Sequence, residues 1–543
     1  MKTLDQVTDD KLRGGFYTPP DLVELCLSRI DSLVGTGDRV RVLEPSVGDG
    51  AFIRGLARNP LGDRVEQVVA LEVDDIEADK ARSEGNCTFF PVSVLLESAV
   101  QWAARTEDLF DAAVGNPPFV RFQFIGDSDV LAVEQLGMRL GIEFRGVGNL
   151  WIPVLLGAAS RVKVGGAIAF VVPTELFTGV SAGAARRWLL ANYSELRIDL
   201  FEPGSFPGVL QEVIVLSGRR AATRNEGSAA VEFVEHDPGQ IEVHWSHSLE
   251  TTARPWTQFL LAPRQLAAYQ TLRECRAFQP LAAYARIEVS IVTGANEFFS
   301  VSRSEVQDYG LEPWAVPLLP RTRHADGLRF TIGDHELLLQ SGAPAWLLSF
   351  DEHRPNPQEQ PKARAYLERG ERQDLHRRYK TGIRSPWYRV PSVWAGALLL
   401  SKRCHRFPRL IVNEAEVVTT DTIYRGVMHT AHIGREPALA GSFHNSATLL
   451  TAELEGRSFG GGVLELVPSE VARLLVPFTS FTNDDLIGLD AIARATDQGS
   501  DEECLIDATD QLLLQRVPEI SADLLECLRG ARRSLLGRRL KRN

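Results

Sequence analysis

The sequence predicts a doubly wound α/β domain over residues 1–221, a mixed α/β domain over 231–478 and a helical segment over 479–543. Three observations carry that reading. Short β-branched runs alternate with stretches of helical apolar spacing through the first 220 residues, the pattern of a mostly parallel sheet with helices on both faces. The small, polar stretch ATRNEGSAA (222–230) then reads as a linker. Beyond it, strand-like runs mix with turns and basic segments, and from about residue 484 apolar residues recur at helical spacing up to the basic tail GRRLKRN (537–543).

The elements of the first domain follow in order. PPDLVELCLSRIDSL (19–33) has helical apolar spacing with proline early, where a helix tolerates it. RVRVLEP (39–45) is a short β-branched run ending at a turn, and VEQVVALEV (65–73) and DLFDAAVGN (108–116) read as buried strands. NLWIPVLLGAASRVK (149–163) predicts a helix closed by Gly165-Gly166 ahead of the strand AIAFVVP (167–173). RIDLFE (197–202) and EVIVLSG (212–218) are two further strands.

The 543 residues are 44% hydrophobic and 24% charged, which excludes a mostly disordered, collagen-like or coiled-coil chain. No apolar run approaches the roughly 18 residues of a membrane span. The N-terminal MKTLDQVTDDKLRGG lacks the apolar core of a secretory signal, so a cytoplasmic location is expected. The six cysteines lie far apart with no CxxC pair, which predicts neither a zinc site nor a disulfide framework; no metal is expected. The net charge of −12 hides an island. Residues 361–410 hold 13 Lys and Arg against 3 Asp and Glu, a net of +10 that leaves −22 elsewhere.

VLEPSVGDGAFI (42–53) places Gly48 and Gly50 directly after a strand and before a helix, where glycine permits a tight turn and close approach of a ligand. Glu72 ends the next strand, suited to accept ribose hydroxyl protons. Ile53 stands where a dinucleotide fingerprint has its third glycine, which favours a mononucleoside cofactor without a pyrophosphate, such as S-adenosylmethionine. In DAAVGNPPFVRF (111–122), Asn116-Pro117-Pro118-Phe119 falls at a strand's carboxyl end, where open α/β sheets bind ligands. Two prolines stiffen the turn and remove two amide donors, leaving the Pro117 carbonyl and the Asn116 side-chain oxygen as convergent acceptors for one NH2 group. Phe119 offers a flat face for a planar base or amide.

With GGFYTPPDLV (14–23) and GGAIAFVVPTELF (165–177), these motifs stand in the order of the gamma-class, TaqI-like DNA adenine methyltransferases of bacterial restriction–modification, which the chain resembles strongly over about 1–220. VTGANEFF (292–299), RSPWYRVP (384–391) and ELEGRSFGGGVL (453–464) resemble segments of bacterial target-recognition domains. The resemblance implies a Rossmann-like class I methyltransferase domain followed by a target-recognition domain. It places Tyr17, Thr18 and Pro19 around the methionine end of S-adenosylmethionine and Glu44, Ser46 and Gly48 along its sulfonium and amino-acid portion. Glu72 would hold the ribose, and Asn116 to Phe119 a flipped adenine that Phe206 sandwiches from the other side; a buried loop anchor is the other reading of Phe206. Where the family usually carries an aspartate near the third strand's end, Ser93 of FFPVSVLL (89–96) would accept one uncharged hydrogen bond from the cofactor.

The island interleaves Arg and Lys with Tyr366, Tyr379, Trp387, Tyr388 and Phe407, a composition suited to phosphates and guanine edges. Arg377 and Arg378 are expected on phosphate, and Arg384 and Arg389, flanking Trp387-Tyr388, on bases. Gly460-Gly461-Gly462 admits either a phosphate approach or an ordinary turn. The expected function is site-specific adenine-N6 methylation of double-stranded DNA at the nucleoid. The motif begins at Gly14, which leaves no room for an N-terminal nuclease, so any cleavage is expected from a separate restriction endonuclease. The alternatives are an amino-methyltransferase for protein glutamine or ribosomal RNA, and a DNA-binding specificity subunit with an inactive core.

Overall fold

The computed structural model describes residues 17–540 apart from 36, 38, 121, 123–124, 145–147, 180, 202–212, 237–241, 252–254, 460–461, 479–480 and 497–502. The chain divides into two compact units between Pro263 and Arg264.

The first unit is built on β1 (Val40–Glu44), β2 (Val65–Glu72), β3 (Val92–Leu96), β4 (Phe110–Gly115), β5 (Val162–Pro173), β6 (Tyr193–Phe201), β7 (Val213–Arg220), β8 (Ser228–His236) and β9 (Val243–Glu250). They form one nine-stranded sheet in the order β3-β2-β1-β4-β5-β7-β6-β8-β9. β3, β2, β1, β4 and β5 run parallel, β7 runs antiparallel to both β5 and β6, and β8 is parallel to β6. The period-2 side-chain alternation divides each central strand between two cores. Leu43, Ala113, Ile168 and Phe170 face one core, which they share with α4 (Ala99–Arg105), α5 (Asp127–Leu140), α6 (Trp151–Ser160) and α7 (Gly183–Asn192). Val42, Ala112, Ala167 and Ala169 face the other, with α1 (Pro20–Leu33), α2 (Ala51–Leu56) and α3 (Asp75–Gly85). Burial on both faces explains why these strands read as continuous apolar runs.

Two boundaries differ from the sequence reading. The helix expected over 149–163 ends at Ser160, and β5 begins at Val162. Gly165-Gly166 therefore does not close a helix; it forms an irregularity within β5, where the pairing with β4 slips between Phe110 and Ala112. Gly165 takes φ +80, and a Cβ on Gly166 would stand 2.5 Å from the Asp111 carbonyl oxygen of β4. The supposed linker 222–230 and the domain start at 231 are also corrected. Ser228–His236 is β8, an interior strand of the first sheet, paired with β9, and the unit continues to Pro263. Its apolar positions seal the core, with Val231 and Phe233 fully buried and Trp245 stacked on Phe233 at 5.9 Å.

The second unit, Arg264–Leu540, holds several small sheets. The five-stranded one carries Leu398 and Leu400 into a core that also contains Leu486, Leu489, Leu505 and Ile506 of the helices Asn483–Thr496 and Glu503–Arg516. The segment expected as a separate helical end is thus part of this unit. Its last helix, Ala522–Leu540, is pinned by Arg539, whose guanidinium forms a buried pair with Glu453 (Nη2 to Oε1 2.6 Å, Nε to Oε2 2.9 Å) and donates to the carbonyls of His405, Arg406 and Gly462. Breaking such a pair strands a buried carboxylate, which costs about 3–5 kcal/mol. Arg539→Ala is therefore expected to lower the urea midpoint of the second unit's transition, and an unchanged midpoint would show that the pair adds no net stability.

Candidate active site

The site lies at the carboxyl ends of β1, β2 and β4, where the chain leaves the sheet and backbone donors and acceptors become free. After β1, Gly48 (φ +51) and Gly50 (φ +85) turn the chain into α2. A Cβ on Gly50 would lie 3.2 Å from the Glu84 side chain and 3.3 Å from Ala81 Cα, so glycine there lets the loop pack against α3. A Cβ on Gly48 would meet nothing within 4 Å: only the backbone conformation calls for glycine, and the space beside it is open.

Glu72, at the end of β2, fastens this loop. Its Oε2 accepts from the Gly48 amide at 2.9 Å, and its Oε1 from the Val73 and Asp74 amides at 2.9 and 3.0 Å. Three of roughly four acceptor sites of the carboxylate are taken by backbone. Glu72 is thus a loop anchor with limited capacity left for a ligand hydroxyl, a double duty that the sequence reading did not contain.

Glu44, the last residue of β1, is 1% exposed, and neither carboxylate oxygen has a hydrogen-bond partner. Burial, and then the negative charges of Asp49 and Glu72, push its pKa well above the ordinary value of 4.5. A buried carboxylate without donors is a receptor for a cationic or N–H-rich group. Its raised pKa means that the cofactor-free fold is most stable with the group protonated, and that this stability is lost as pH rises above about 4.5 toward the folded pKa. Glu44→Gln is expected to raise the melting temperature of the cofactor-free protein at pH 8 by about 2–4 °C, with the gap to wild type closing below about pH 4.5. A variant no more stable than wild type at pH 8 would show that Glu44 carries no such cost.

Asn116, immediately after β4, is held from two sides. Its Nδ2 donates to Thr18 Oγ1 at 3.2 Å, and its backbone carbonyl accepts from Ser46 Oγ at 3.1 Å. Those contacts bring the YTP segment, the glycine loop and the NPPF turn together. The side-chain Oδ1 is buried and unpartnered. Pro117 is buried, Pro118 half-buried, and Phe119 half-buried against both cores. Pro19 precedes α1, while Tyr17, 61% exposed, reaches Glu77 at 3.4 Å and accepts from Lys80 at 3.2 Å. Beside Glu72 the structure exposes Val73 (69%), Ile76 (67%) and Leu96 (50%), an apolar border that suits the flat face of a nucleobase and that sequence periodicity did not single out.

Ser93 is corrected. It is the second residue of β3, in register with Val69, whereas Glu72 is level with Leu96. The serine therefore sits about 10 Å below the carboxyl end and accepts from Gln67 Nε2 at 3.4 Å. Glu97 and Ser98 follow that end instead; the Ser98 hydroxyl donates to Asp129 at 2.6 Å. Phe206 lies outside the described residues.

In the second unit the expected DNA readers separate. Arg384 donates from both Nη atoms, at 2.7 Å each, to the backbone carbonyls of Thr293 and Val292, so it clamps a loop. Trp387 packs on Phe298 at 5.4 Å and donates to Glu371, and Tyr388 and Tyr366 lie in the same core. Tyr366 and Tyr388 are buried there, and Trp387 is half-buried. Arg389 pairs with Glu352 at 3.1 Å and Arg377 with Asp374 at 3.3 Å, both at the surface, while Arg378 is exposed.

The parallel run closed by a reversed strand next to β5, the glycine turn after β1, the acidic end of β2 and the NPPF turn after β4 define a class I S-adenosylmethionine-dependent methyltransferase domain. The residues fit that cofactor: Glu44 has two unsatisfied oxygens, Gly48 has open space beside it, and an apolar border lies next to Glu72. Residues 253–514, which span most of the second unit, match the family model of the Type II methyltransferase M.Eco57I C-terminal domain. The Type II methyltransferase M.AccI of Acinetobacter calcoaceticus is 22% identical over 477 residues, covering 84% of each chain. M.XamI of Xanthomonas campestris pv. amaranthicola is 23% identical over 472 residues, covering 86% of this chain and 85% of that protein. Among solved structures the DrdV–DNA complex superposes with a TM-score of 0.48 at 11% identity, covering 90% of this chain and 58% of that one. The chain is similar to Type II methyltransferases over most of its length. Among the described residues, no His, Cys, Asp and Glu group is placed to hold a metal, and no helix is long and apolar enough to cross a membrane.

Proposed function

We propose that this protein is a site-specific DNA methyltransferase that modifies the N6 amine of adenine in duplex DNA and serves as the modification component of a restriction–modification or phage-defence system. The observation that carries this reading is the Asn116 carboxamide, with its NH2 fixed by Thr18 and its oxygen buried without a partner beside a Pro-Pro turn. S-adenosylmethionine, when bound, supplies a methyl group made electrophilic by its sulfonium. Glu44 would take the amino-acid end of the cofactor and Glu72 the ribose. Asn116 Oδ1 and the Pro117 carbonyl accept the two protons of the target amine, which raises electron density on its nitrogen and orients the lone pair. The amine gives up its proton only after it has gained the methyl group, so no side chain with a base's pKa is required. Phe119 supplies the stacking face. A base inside a duplex cannot reach these groups, so the target adenine turns out of the helix.

Base-resolution sequencing of genomic DNA from cells expressing the chain tests the reading. N6-methyladenine at one recurring sequence is the expected result. Unmodified DNA together with a methylated glutamine or ribosomal RNA base would overturn it, and loss of cofactor binding together with retained DNA binding would point to an inactive specificity subunit.

A further inference from the structure

In the second unit the strand Ala315–Leu319 runs parallel to Val418–Thr419, and Ile291 bridges Thr420 in the same sense. The carboxyl ends of three segments therefore meet at one edge, and the loops that leave them, 292–296, 320–326 and 421–422, emerge side by side. Asn296 Nδ2 donates to Asp421 Oδ1 at 3.3 Å and ties two of these loops. The third is braced by Arg409, which donates to the carbonyls of Thr322 and Asp326. A fourth segment is docked on the same edge. The Arg384 clamp holds it to Val292 and Thr293, and Gly294 (φ +81) has so little room that a Cβ would stand 2.8 Å from Lys380 Cβ. Thr381, fully buried, fixes the turn by donating to the carbonyls of Leu375 and Arg378.

This frame presents an exposed basic and apolar set. Arg321, Arg323, Arg378 and Lys380 are exposed and have no carboxylate partner among the described ion pairs. Tyr379 is 78% and Ile383 72% exposed, large apolar groups left in solvent next to cations. On the same loops Asp374 pairs with Arg377, Asp421 accepts from Asn296 and keeps its charge, and Asp326 and Glu297 are exposed acids, so the cations stand against three carboxylates unpaired among the described residues. Rigid backbone, unpaired cations and projecting apolar side chains suit a polyanion with a stacked, grooved interior.

We propose that the carboxyl edge of this parallel trio is the duplex-DNA docking surface of the second unit, with Arg321, Arg323, Arg378 and Lys380 on phosphates and Tyr379 and Ile383 in the groove. The proposal rests on the DNA reading above and assigns it a place: the arginine pair Arg321/Arg323, outside the basic island, acts together with Arg378/Lys380 inside it, while Arg384 serves as a clamp.

The test is fluorescence anisotropy of the full chain with a random-sequence 30-base-pair duplex across a potassium chloride series. Each phosphate contact adds about −0.9 to the slope of log K against log salt, so Arg321→Ala/Arg323→Ala and Arg378→Ala/Lys380→Ala are each expected to flatten it by about 1.8. Tyr379→Ala/Ile383→Ala is expected to weaken binding about 10-fold with an unchanged slope, in line with loss of about 1.4 kcal/mol of groove contact. Arg286→Ala/Arg473→Ala, which removes two exposed cations elsewhere on the unit, leaves both quantities unchanged. All of these side chains are exposed, so circular dichroism melting curves should superpose. An unaltered slope in either basic pair overturns the proposed surface. A wild-type chain that binds cofactor but no duplex overturns the DNA reading itself.

Discussion

Asn116→Ala is expected to lower kcat for methyl transfer by at least about 100-fold, the loss typical of removing one preorganised polar contact to the reacting group. The carboxamide is oriented before any substrate arrives, because Thr18 Oγ1 takes its NH2 at 3.2 Å and leaves Oδ1 buried and unpartnered. Keeping an amide oxygen without a donor in the resting protein is itself unfavourable. That cost is recovered when an amine donates to it, most fully as the nitrogen becomes cationic. An interaction strongest in the transition state appears in kcat more than in binding. Cofactor affinity, measured calorimetrically, and duplex affinity should both stay within a few-fold of wild type. Single-turnover assays on DNA from unmodified cells provide the measurement, and a variant that turns over at near wild-type rate would remove Asn116 from the reaction.

The second large effect is expected at Glu72. Its carboxylate accepts from the amides of Gly48, Val73 and Asp74, so Glu72→Ala removes a ligand acceptor and frees one donor of the cofactor loop and two of the turn after β2. A hydrogen bond to a charged group contributes about 1.5–3 kcal/mol, so the affinity for S-adenosylmethionine should fall by roughly 10- to 150-fold. Glu72→Gln is informative because it keeps one oxygen but turns an NH2 toward amides that also donate; it should bind nearly as poorly as the alanine variant. Calorimetric titration with S-adenosylmethionine decides: unchanged affinity in both variants would leave Glu72 as an anchor of the loop with no part in cofactor binding.

Much of the first unit was legible because its signals are local. The β1 and β2 runs end at Glu44 and Glu72, one residue short of the runs 39–45 and 65–73 that the apolar pattern predicts, since a strand buried on both faces must be apolar along its length. Asn116 to Phe119 could be located from two prolines and the strand before them. The readings that failed depended on partners distant in sequence. The family resemblance implies a place for Ser93 near the third strand's end, but the register with Val69 puts it lower, with Leu96 level with Glu72. Residues 222–236 looked like a linker entering a new domain, yet pairing with β6 makes 228–236 an interior strand.

The sequence by itself determined the α/β class, the glycine loop, the acidic strand end and the NPPF turn, because each is specified by residues within a few positions of one another. Only the tertiary structure decided which charges of the basic island already have partners. Composition counts charges; it does not show which are already spent. Arg384 was committed to the carbonyls of Val292 and Thr293, some 90 residues away, and Trp387 and Tyr388 to a core with Phe298 and Phe350. A guanidinium that donates to backbone and a ring packed into a core have less surface left for a ligand, and long-range packing alone settles which residues those are.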